Sequence, residues 1–258
     1  MGWEPFLSAF DGGAPSQEPE VEMSDPLFHT DAYLREFEAS VVAIGGTDVA
    51  LDRTAFYPGG GGQPSDQGIL AWEGGEGRVA EVRKRDGEIW HVLEGSVPQG
   101  GVRVHGTLAW DRRYQLMRTH TAMHILCGVI WRDYKASVTG GNMEPLRGRM
   151  DFEFETMRQE LVREIEEKVN REVSEGRPVS SRILPRAEAF QIPDLIRTKI
   201  NLLPEGILQV RVVEIQGLDL QADGGTHVAN TSEVGPIRIL DYKSKGAINK
   251  RLVVGLEA

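Results

Sequence analysis

Short segments in which hydrophobic and polar residues alternate fill the chain between residues 33 and 108. Such segments predict β-strands, and glycine-containing turns separate them at intervals of about 8–12 residues. The predicted strands are residues 39–45, 48–52, 77–82, 88–93 and 101–108. Their length and spacing are typical of a small β-barrel or β-sandwich.

The hydrophobic pattern changes to a helical period after residue 110. Residues 111–134 contain no proline and repeat apolar side chains every three or four positions, which predicts a helix. Residues 155–174 predict a second helix with one apolar stripe and oppositely charged i,i+4 pairs. Further strands are predicted at 147–154 and 207–215, and a hairpin from 236–242 and 247–256. Helices mixed with mostly antiparallel strands indicate an α+β fold.

Charge is unevenly distributed along the 258 residues, of which 40% are hydrophobic and suffice for a core. The formal net charge of −10 by itself argues against a nucleic-acid partner. Residues 1–105 carry −11 and residues 106–258 carry +1, so that objection applies to the front of the chain. Residues 1–24 contain five acidic side chains and no Lys or Arg, which predicts an acidic, disordered tail.

A basic segment at residues 242–251 contains no acidic side chain. Its cations are Lys243, Lys245, Lys250 and Arg251. They can neutralise phosphates of a nucleic acid. A solvated hairpin whose lysines protect an exposed sheet edge explains the same charges, so both interpretations stay open.

The apolar runs of the sequence are short. None has the roughly 18–20 consecutive apolar residues that span a bilayer, and no secretory signal is recognised at the start. The single cysteine, Cys127, fits a reducing compartment. We therefore expect a cytoplasmic protein with no membrane partner, and no obligate protein partner is indicated.

Two histidines lie four residues apart in the first predicted helix. His120 and His124 therefore occupy one face, one turn apart, a geometry that can hold a Zn²⁺ ion. Structural or solvated histidines occur at the same spacing. The glutamate of the H-E-x-x-H motif is absent, which argues against a metalloprotease.

A second segment with metal-ligating residues follows at 221–227. Two glycines separate Asp223 from His227, and the resulting turn can bring both side chains together. With His120 and His124 they would offer three nitrogen ligands and one oxygen, a set that zinc accepts. A glycine turn in which Asp223 caps a backbone N–H and His227 is incidental explains the spacing equally well.

Four consecutive glycines stand within residues 54–64, whose sequence is TAFYPGGGGQP. Such a run exposes backbone amides and allows close approach of a ligand, and Gln63 adds a hydrogen-bonding amide. No Lys-Ser/Thr follows, so the segment is not a Walker A loop. A mobile connector is the alternative.

Three segments in order resemble one known family. They are residues 54–63, the His120/His124 pair, and residues 224–235 with the sequence GGTHVANTSEVG. Over about residues 27–256 the chain resembles the alanyl-tRNA editing proteins (AlaX), freestanding relatives of the editing domain of alanyl-tRNA synthetase. The resemblance implies a β-barrel domain with a glycine-rich loop at 25–108, followed by an α+β editing domain with a metal site at 109–258. It also implies an aminoacyl-tRNA hydrolase that deacylates mischarged tRNA(Ala), with serine and possible glycine as the wrongly attached amino acid.

The same resemblance implies one zinc ion held by an HxxxH pair and a CxxxH pair. The matching residues here are His120, His124 and His227, but Asp223 stands where the family has cysteine. A carboxylate is a harder ligand than a thiolate and neutralises less of the ion's charge. Weaker metal binding, a more Lewis-acidic ion and complete loss of the metal all follow as possibilities.

The resemblance further implies roles for individual residues. Thr54 and Gln63 are expected to be catalytic, with the Thr54 hydroxyl near the amino-acid pocket. The expected substrate-binding residues are Gly60, Gly61, Gly62, Gly224, Gly225 and Thr226. The cations of the basic segment are candidates for phosphates of the tRNA(Ala) acceptor end. A catalytically degenerate tRNA-binding module and a metal-dependent hydrolase of small esters remain alternatives.

Overall fold

The computed structural model describes residues 24–196, 206–244 and 246–258. Apart from Ser24, the predicted acidic tail lies outside these ranges, and so does Lys245. Ser24 is buried, and its hydroxyl donates a hydrogen bond to the carbonyl of Leu51. The described chain therefore begins against the barrel wall.

The described residues before position 109 form strands. They are β1 (Asp25–Pro26), β2 (Glu36–Gly45), β3 (Asp48–Leu51), β4 (Arg53–Thr54), β5 (Gly68–Trp72), β6 (Gly75–Arg85), β7 (Glu88–Gly95) and β8 (Arg103–Leu108). Six of them close into a barrel in the order β2-β3-β7-β6-β5-β8, and β1 pairs in parallel with β4. The predicted strands all lie in this barrel, and β5, which was not predicted, completes its closure. The barrel, not the sandwich, is the observed architecture.

The barrel interior follows from the alternation of side chains along each strand. In β7, Ile89, His91 and Leu93 are buried, whereas the residues between them are half-exposed. A period of two places every second side chain on the inner face of a strand. The polar residue His91 therefore lies inside the barrel core.

The second half contains three helices and seven strands within the described residues. They are α1 (Trp110–Tyr134), β9 (Val138–Glu144), β10 (Arg147–Glu153), α2 (Gln159–Ser174), β11 (Val179–Pro185), α3 (Arg186–Ala189), β12 (Gln209–Ile215), β13 (Asp219–Ala222), β14 (Ile237–Ser244) and β15 (Asn249–Leu256). An antiparallel sheet has the order β14-β15-β10-β9, and a second sheet has the order β11-β12-β13. This arrangement confirms the α+β class.

Helix α1 runs through the middle of this second half. Nearly every side chain from Leu116 to Ile130 is buried, including the polar residues Thr119, His120, Thr121 and His124. The four-stranded sheet covers one side of the helix, as the closeness of Gly148 to Met123 shows. Buried polar groups require hydrogen-bond partners, so the polar residues of α1 point to a built site.

Helix α2 begins later than the sequence predicts. It starts at Gln159 and not at residue 155, because Phe154 is still tied to the neighbouring strand through its backbone N–H and the carbonyl of Ile248. The chain then needs residues 155–158 to turn. The predicted apolar stripe is confirmed, since Ile165 and Val169 are completely buried.

A buried ion pair joins the barrel to α1. The Nε atom of Arg113 lies 3.0 and 2.9 Å from the two carboxylate oxygens of Asp66, and the guanidinium also donates to the carbonyls of Ala32 and Ala55. The backbone N–H of Tyr57 donates to the same carboxylate at 2.7 Å. Both ends of the glycine loop, at Tyr57 and Asp66, are thereby fixed relative to the helix.

No helix within the described ranges combines the length and the apolar character that a membrane span requires.

Candidate metal centre

Four side chains from two distant segments meet between α1 and the turn that follows β13. The ligand atoms of His120, His124, Asp223 and His227 all lie within 4.8 Å of one another. The rings of His120 and His227 stack with centroids 4.2 Å apart. The structure thus brings together the four residues that the sequence singled out as ligands.

The three histidines are oriented by partners on their outer side. In each ring Nδ1 lies within hydrogen-bond distance of an oxygen atom. The pairs are His120 with Gln63 Oε1 at 3.0 Å, His124 with Asp219 Oδ2 at 2.9 Å, and His227 with Thr121 Oγ1 at 3.1 Å. When Nδ1 donates its proton outward, Nε2 is left as the electron-pair donor for a cation.

The carboxylate of Asp223 faces the inner nitrogens. Its oxygens lie 3.5 Å from His120 Nε2 and 3.0 Å from His227 Nε2, and one accepts the N–H of Gly225 at 2.8 Å. Burial opposes its ionisation, but the imidazoles of His120 and His227 outweigh this effect and hold the pKa of Asp223 well below its usual value. Asp223 is therefore anionic at neutral pH.

Burial also keeps the imidazoles of His120 and His227 neutral. It lowers the pKa of His227 to about 4 and places that of His120 well below 6.5. Neutral imidazoles and an ionised carboxylate are the protonation states that ligate metals. The cluster can accordingly hold a metal ion, and its donor set of three nitrogens and one oxygen fits the ion that the sequence predicts.

Gly225 is needed for the close approach of the turn to α1. A Cβ atom at this position would lie 2.3 Å from His120 Cε1 and 2.7 Å from Gln63 Oε1. No side chain can occupy that space without displacing the cluster. The following residue, Thr226, is completely buried, whereas a Cβ at Gly224 would meet no atom within 4 Å.

Gln63 connects the glycine loop to the cluster. Its Oε1 accepts hydrogen bonds from the N–H of Thr226 at 3.0 Å and from Nδ1 of His120 at 3.0 Å. Its Nε2 donates to Thr226 Oγ1 at 2.9 Å. Two backbone hydrogen bonds between Gly60 and Gln63 close the loop. A Cβ at Gly61 would lie 3.9 Å from Asp223 Oδ1, so the loop covers the cluster directly.

Thr54 is held inside the barrel, with no hydrogen bond to the cluster among the described residues. It is fully buried; its hydroxyl lies 2.8 Å from His91 Nε2 and accepts the N–H of Phe56 at 3.1 Å. His91 Nδ1 lies 3.0 Å from the carbonyl of Val49, and burial lowers the pKa of His91 to about 4. The catalytic role of Thr54 stays a prediction.

The described cations of the basic segment have partners within the protein. Lys243 pairs with Asp241 at 2.8 Å, and Arg251 makes two contacts of 2.7 Å with Asp151. Lys250 is buried, and its ammonium donates to two carbonyls of the hairpin turn. Lys245 lies outside the described residues. Lys250 and Arg251 are thus held within the protein, whereas Lys243 stays 65% exposed, and the role of these cations in tRNA binding stays a prediction.

Several residues of the site carry no recognisable signal in the sequence. Arg211 on β12 donates to the carbonyls of Asp223 at 3.1 Å and Gly225 at 2.9 Å, and so supports the turn from below. Asp219 orients His124. A charged residue amid the apolar residues of a predicted strand is the one available hint for Arg211.

A clamp holds the segment after His227. The carboxylate of Glu233 accepts the hydroxyl protons of Tyr33 at 2.8 Å and Tyr114 at 3.0 Å, and the N–H groups of Ala229 and Asn230. These contacts link the chain before β2 and helix α1 to the segment that carries His227. The capping-box spacing of Asn230 and Glu233 was visible in the sequence, although its tyrosine partners were not.

Known protein families match most of this chain. Residues 210–253 match the family model "Threonyl and Alanyl tRNA synthetase second additional domain", and residues 22–112 match "tRNA synthetases class II (A)". The chain is 42% identical over 236 residues to the alanyl-tRNA editing protein AlaX-M of Saccharolobus solfataricus, covering 89% of this chain and 98% of that protein. It is 40% identical over 241 residues to AlaX-M of Methanosarcina acetivorans, with the same coverage.

A larger relative matches over part of its length. The alanine–tRNA ligase of Thermoplasma acidophilum is 39% identical over 229 residues, which are 87% of this chain and 26% of the ligase. The resemblance seen in the sequence motifs is confirmed. The chain belongs to the family of AlaX-M alanyl-tRNA editing proteins.

Proposed function

We propose that this protein hydrolyses amino acids wrongly esterified to tRNA(Ala), with serine as the main substrate and glycine as a second. The observation that carries the proposal is the convergence of His120, His124, His227 and Asp223 beneath the glycine loop. It is supported by relatives that are named alanyl-tRNA editing proteins. An aminoacyl ester is a reactive bond, so orientation and electrostatic stabilisation suffice as catalysis.

We take zinc as the ion of the cluster, since imidazole nitrogens and a carboxylate oxygen are among its usual ligands. When bound, zinc supplies Lewis-acid polarisation and lowers the pKa of water. The protein's own contribution is orientation: Gln63, Asp219 and Thr121 hold the three imidazoles with Nε2 facing inward. Asp223 adds the negative charge that cysteine supplies elsewhere in the family.

The loop and the barrel would determine the choice of substrate. Gly61 lies against Asp223, so the loop excludes bulk water from one side of the site. Because His91 Nδ1 donates to a carbonyl, its Nε2 accepts the Thr54 proton, and Thr54 can act towards a serine hydroxyl only as an acceptor. A polar group of this kind favours serine over alanine, which has no hydroxyl.

Deacylation of Ser-, Gly- and Ala-tRNA(Ala) by the wild type and by His120→Ala tests the proposal. We expect Ser-tRNA(Ala) to be hydrolysed fastest, Ala-tRNA(Ala) to be spared, and the variant to lose about 100-fold or more of the activity. Metal analysis should find one zinc per chain in the wild type and little in the variant.

Two results would contradict it. Stoichiometric tRNA binding without turnover, even with added zinc, would make the protein a tRNA-binding module. Hydrolysis of a small ester with which tRNA does not compete would make it a small-ester hydrolase.

A further inference from the structure

A polar groove of about 280 Å³ lies on the open face of the four-stranded sheet, beside the edge strand β9. Its lining includes Asn142 and Glu144 from β9 and Arg147 and Arg149 from β10. None of these residues belongs to the metal cluster, our name for the group formed by His120, His124, Asp223 and His227. The groove is thus a second surface feature, and the function proposed above does not use it.

The two arginines point to the same side of the sheet. Along β10 the residues Gly148, Met150 and Phe152 are buried, so the side chains at the alternate positions project outward. Arg147 and Arg149 are two residues apart, which separates their Cα atoms by about 7 Å along the strand. Their guanidinium groups therefore form a short row of positive charge.

The charges of this row are only weakly compensated. Arg149 lies 4.0 Å from Asp151, a carboxylate that Arg251 already binds through two contacts of 2.7 Å. Arg147 lies 3.9 Å from Glu144, and both side chains are more than half exposed. The Arg147 pair is exposed and the Arg149 pair is long at 4.0 Å, so neither fully compensates its guanidinium and both groups are available to an anionic ligand.

The glycine loop contacts two residues that line the groove, Asn142 and Met143. The carbonyl of Gly62 accepts the N–H of Met143 on β9 at 3.0 Å, and a Cβ at Gly62 would lie 3.4 Å from the Cα of Asn142. The neighbouring Gly61 lies against Asp223. Gly61 and Gly62 are consecutive residues, so their Cα atoms are about 3.8 Å apart. The loop therefore contacts the candidate metal site through Gly61 and the groove through Gly62.

We infer that the groove binds phosphates of the single-stranded acceptor end of tRNA, and so leads the terminal ester to the metal cluster. The inference rests on the proposed function, since it names the surface that this substrate would use. Guanidinium groups match phosphate oxygens in a bidentate geometry, and the Asn142 amide can both donate and accept hydrogen bonds. The inference assigns this phosphate contact to the row of Arg147 and Arg149, apart from the basic hairpin of Lys243 and Arg251.

Binding of a short RNA ending in CCA to the full-length protein tests the groove without any need for turnover. The variants are Arg147→Gln/Arg149→Gln, the charge-preserving Arg147→Lys/Arg149→Lys, and the matched control Lys243→Gln on the opposite edge strand. In the Gln double variant we expect Kd to rise by about tenfold or more, and the slope of log Kd against log salt to fall by about 1.4. The control should stay within about threefold of the wild type, and the Lys double variant, which keeps the charge but loses the bidentate geometry, should lie between the Gln double variant and the wild type.

Ser-tRNA(Ala) hydrolysis provides the second readout. The Gln double variant should raise KM and leave kcat unchanged, and a seryl ester of adenosine, which lacks phosphates, should be hydrolysed equally by all variants. Unchanged Kd and salt slope in the Gln double variant, or a loss confined to Lys243→Gln, would overturn the inference. If RNA binding depends on the two arginines but neither the wild type nor any variant hydrolyses Ser-tRNA(Ala), the RNA-binding role of the groove is supported and the proposed function is contradicted.

Discussion

Gln63 is the side chain through which the glycine loop and the metal cluster depend on each other. Its carbonyl oxygen accepts protons from His120 and Thr226, and its amide nitrogen donates to the Thr226 hydroxyl. These contacts fix which end of the amide faces the cluster. A residue predicted to be catalytic is thus placed to position His120 and the turn.

Replacing Gln63 by Ala should weaken metal binding by about 10–100-fold, the usual effect of losing a residue that orients a ligand. The N–H of Thr226 and Nδ1–H of His120 would lose their acceptor, which destabilises the fold by about 1–3 kcal/mol. Competition with a chelator measures the affinity. Gln67→Ala is the matched control, since Gln67 donates to the carbonyl of Ala80 in the barrel. Equal zinc affinity in the two variants would contradict the role of Gln63.

His91 makes the barrel sensitive to acid. Burial lowers its pKa from 6.5 to about 4, so the unfolded chain binds the proton more readily than the folded one. Stability that is present above pH 6.5 is therefore lost as the pH falls towards 4. This contribution amounts to about 2–3 kcal/mol between pH 7.5 and 4.5.

Lowering the pH from 7.5 to 4.5 should reduce the unfolding free energy of both proteins. We expect the reduction to be smaller in His91→Gln than in the wild type by about 2–3 kcal/mol. Urea unfolding at several pH values measures the difference. His105→Gln, which changes an exposed histidine on β8, should keep the steeper pH dependence of the wild type. A slope in His91→Gln as steep as in this control would rule out the buried histidine as the cause.

Among the elements, α1 connects the two halves of the protein. Its N-terminal half carries Arg113, which holds both ends of the glycine loop through Asp66 and Tyr57, and two turns later it carries His120. The ion pair is completely buried. The helix therefore determines the distance between the loop and the cluster.

Arg113→Lys should destabilise the protein by about 3 kcal/mol or more, because an ammonium cannot replace a planar guanidinium that bonds a carboxylate and two carbonyls. Chemical denaturation measures the change. The control is Arg112→Lys, whose arginine donates to the carbonyl of Ser65 at 3.3 Å and pairs with no carboxylate among the described residues, with an expected effect within about 0.5 kcal/mol. Equal losses of unfolding free energy in Arg113→Lys and Arg112→Lys would show that the ion pair of Arg113 does not stabilise the fold more than an ordinary arginine contact.

Elements with a long, regular pattern could be predicted from the sequence. The helix predicted at 111–134 is found at Trp110–Tyr134 because an uninterrupted apolar period spans its whole length. Strand β9 was missed because its sequence contains two adjacent glycines, and β13 because it has four residues. Tertiary pairing, not local preference, makes these strands.

The candidate site could be predicted only in part for the same reason. The four candidate ligands follow from spacing and motif, whereas Asp219, Thr121 and Arg211 become visible only when the segments pack together. Charge counting also cannot show that the strand register places Arg251 opposite Asp151, so the role of the basic hairpin in tRNA binding stays a prediction.

The candidate metal site is built from three distant parts of the chain. Gln63 comes from the barrel, two histidines come from α1, and Asp223 and His227 come from a turn near the end of the chain. We propose that the barrel domain (25–108) and the editing domain (109–258) unfold as one cooperative unit for this reason. A metal ion would tie these parts together further.

Removal of the metal should therefore lower the stability of the entire protein. Above the Kd, each tenfold increase in free zinc should add about 1.4 kcal/mol to the unfolding free energy, because the ion binds the folded state. Thermal unfolding at buffered zinc concentrations measures the effect. His120→Ala should show almost no zinc dependence, and an equal dependence in this variant would place the stabilising ion elsewhere.

The hydrogen bond between Gly62 and Met143 has a consequence for self-association. Strand β9 is an edge of its sheet, and an uncovered edge is a template for pairing with another copy of the chain. The carbonyl of Gly62 occupies the Met143 N–H of that edge. The loop that approaches Asp223 thus also occupies one hydrogen-bonding position of this edge, so we expect a shortened loop to favour pairing between copies through β9 as well as to reduce activity.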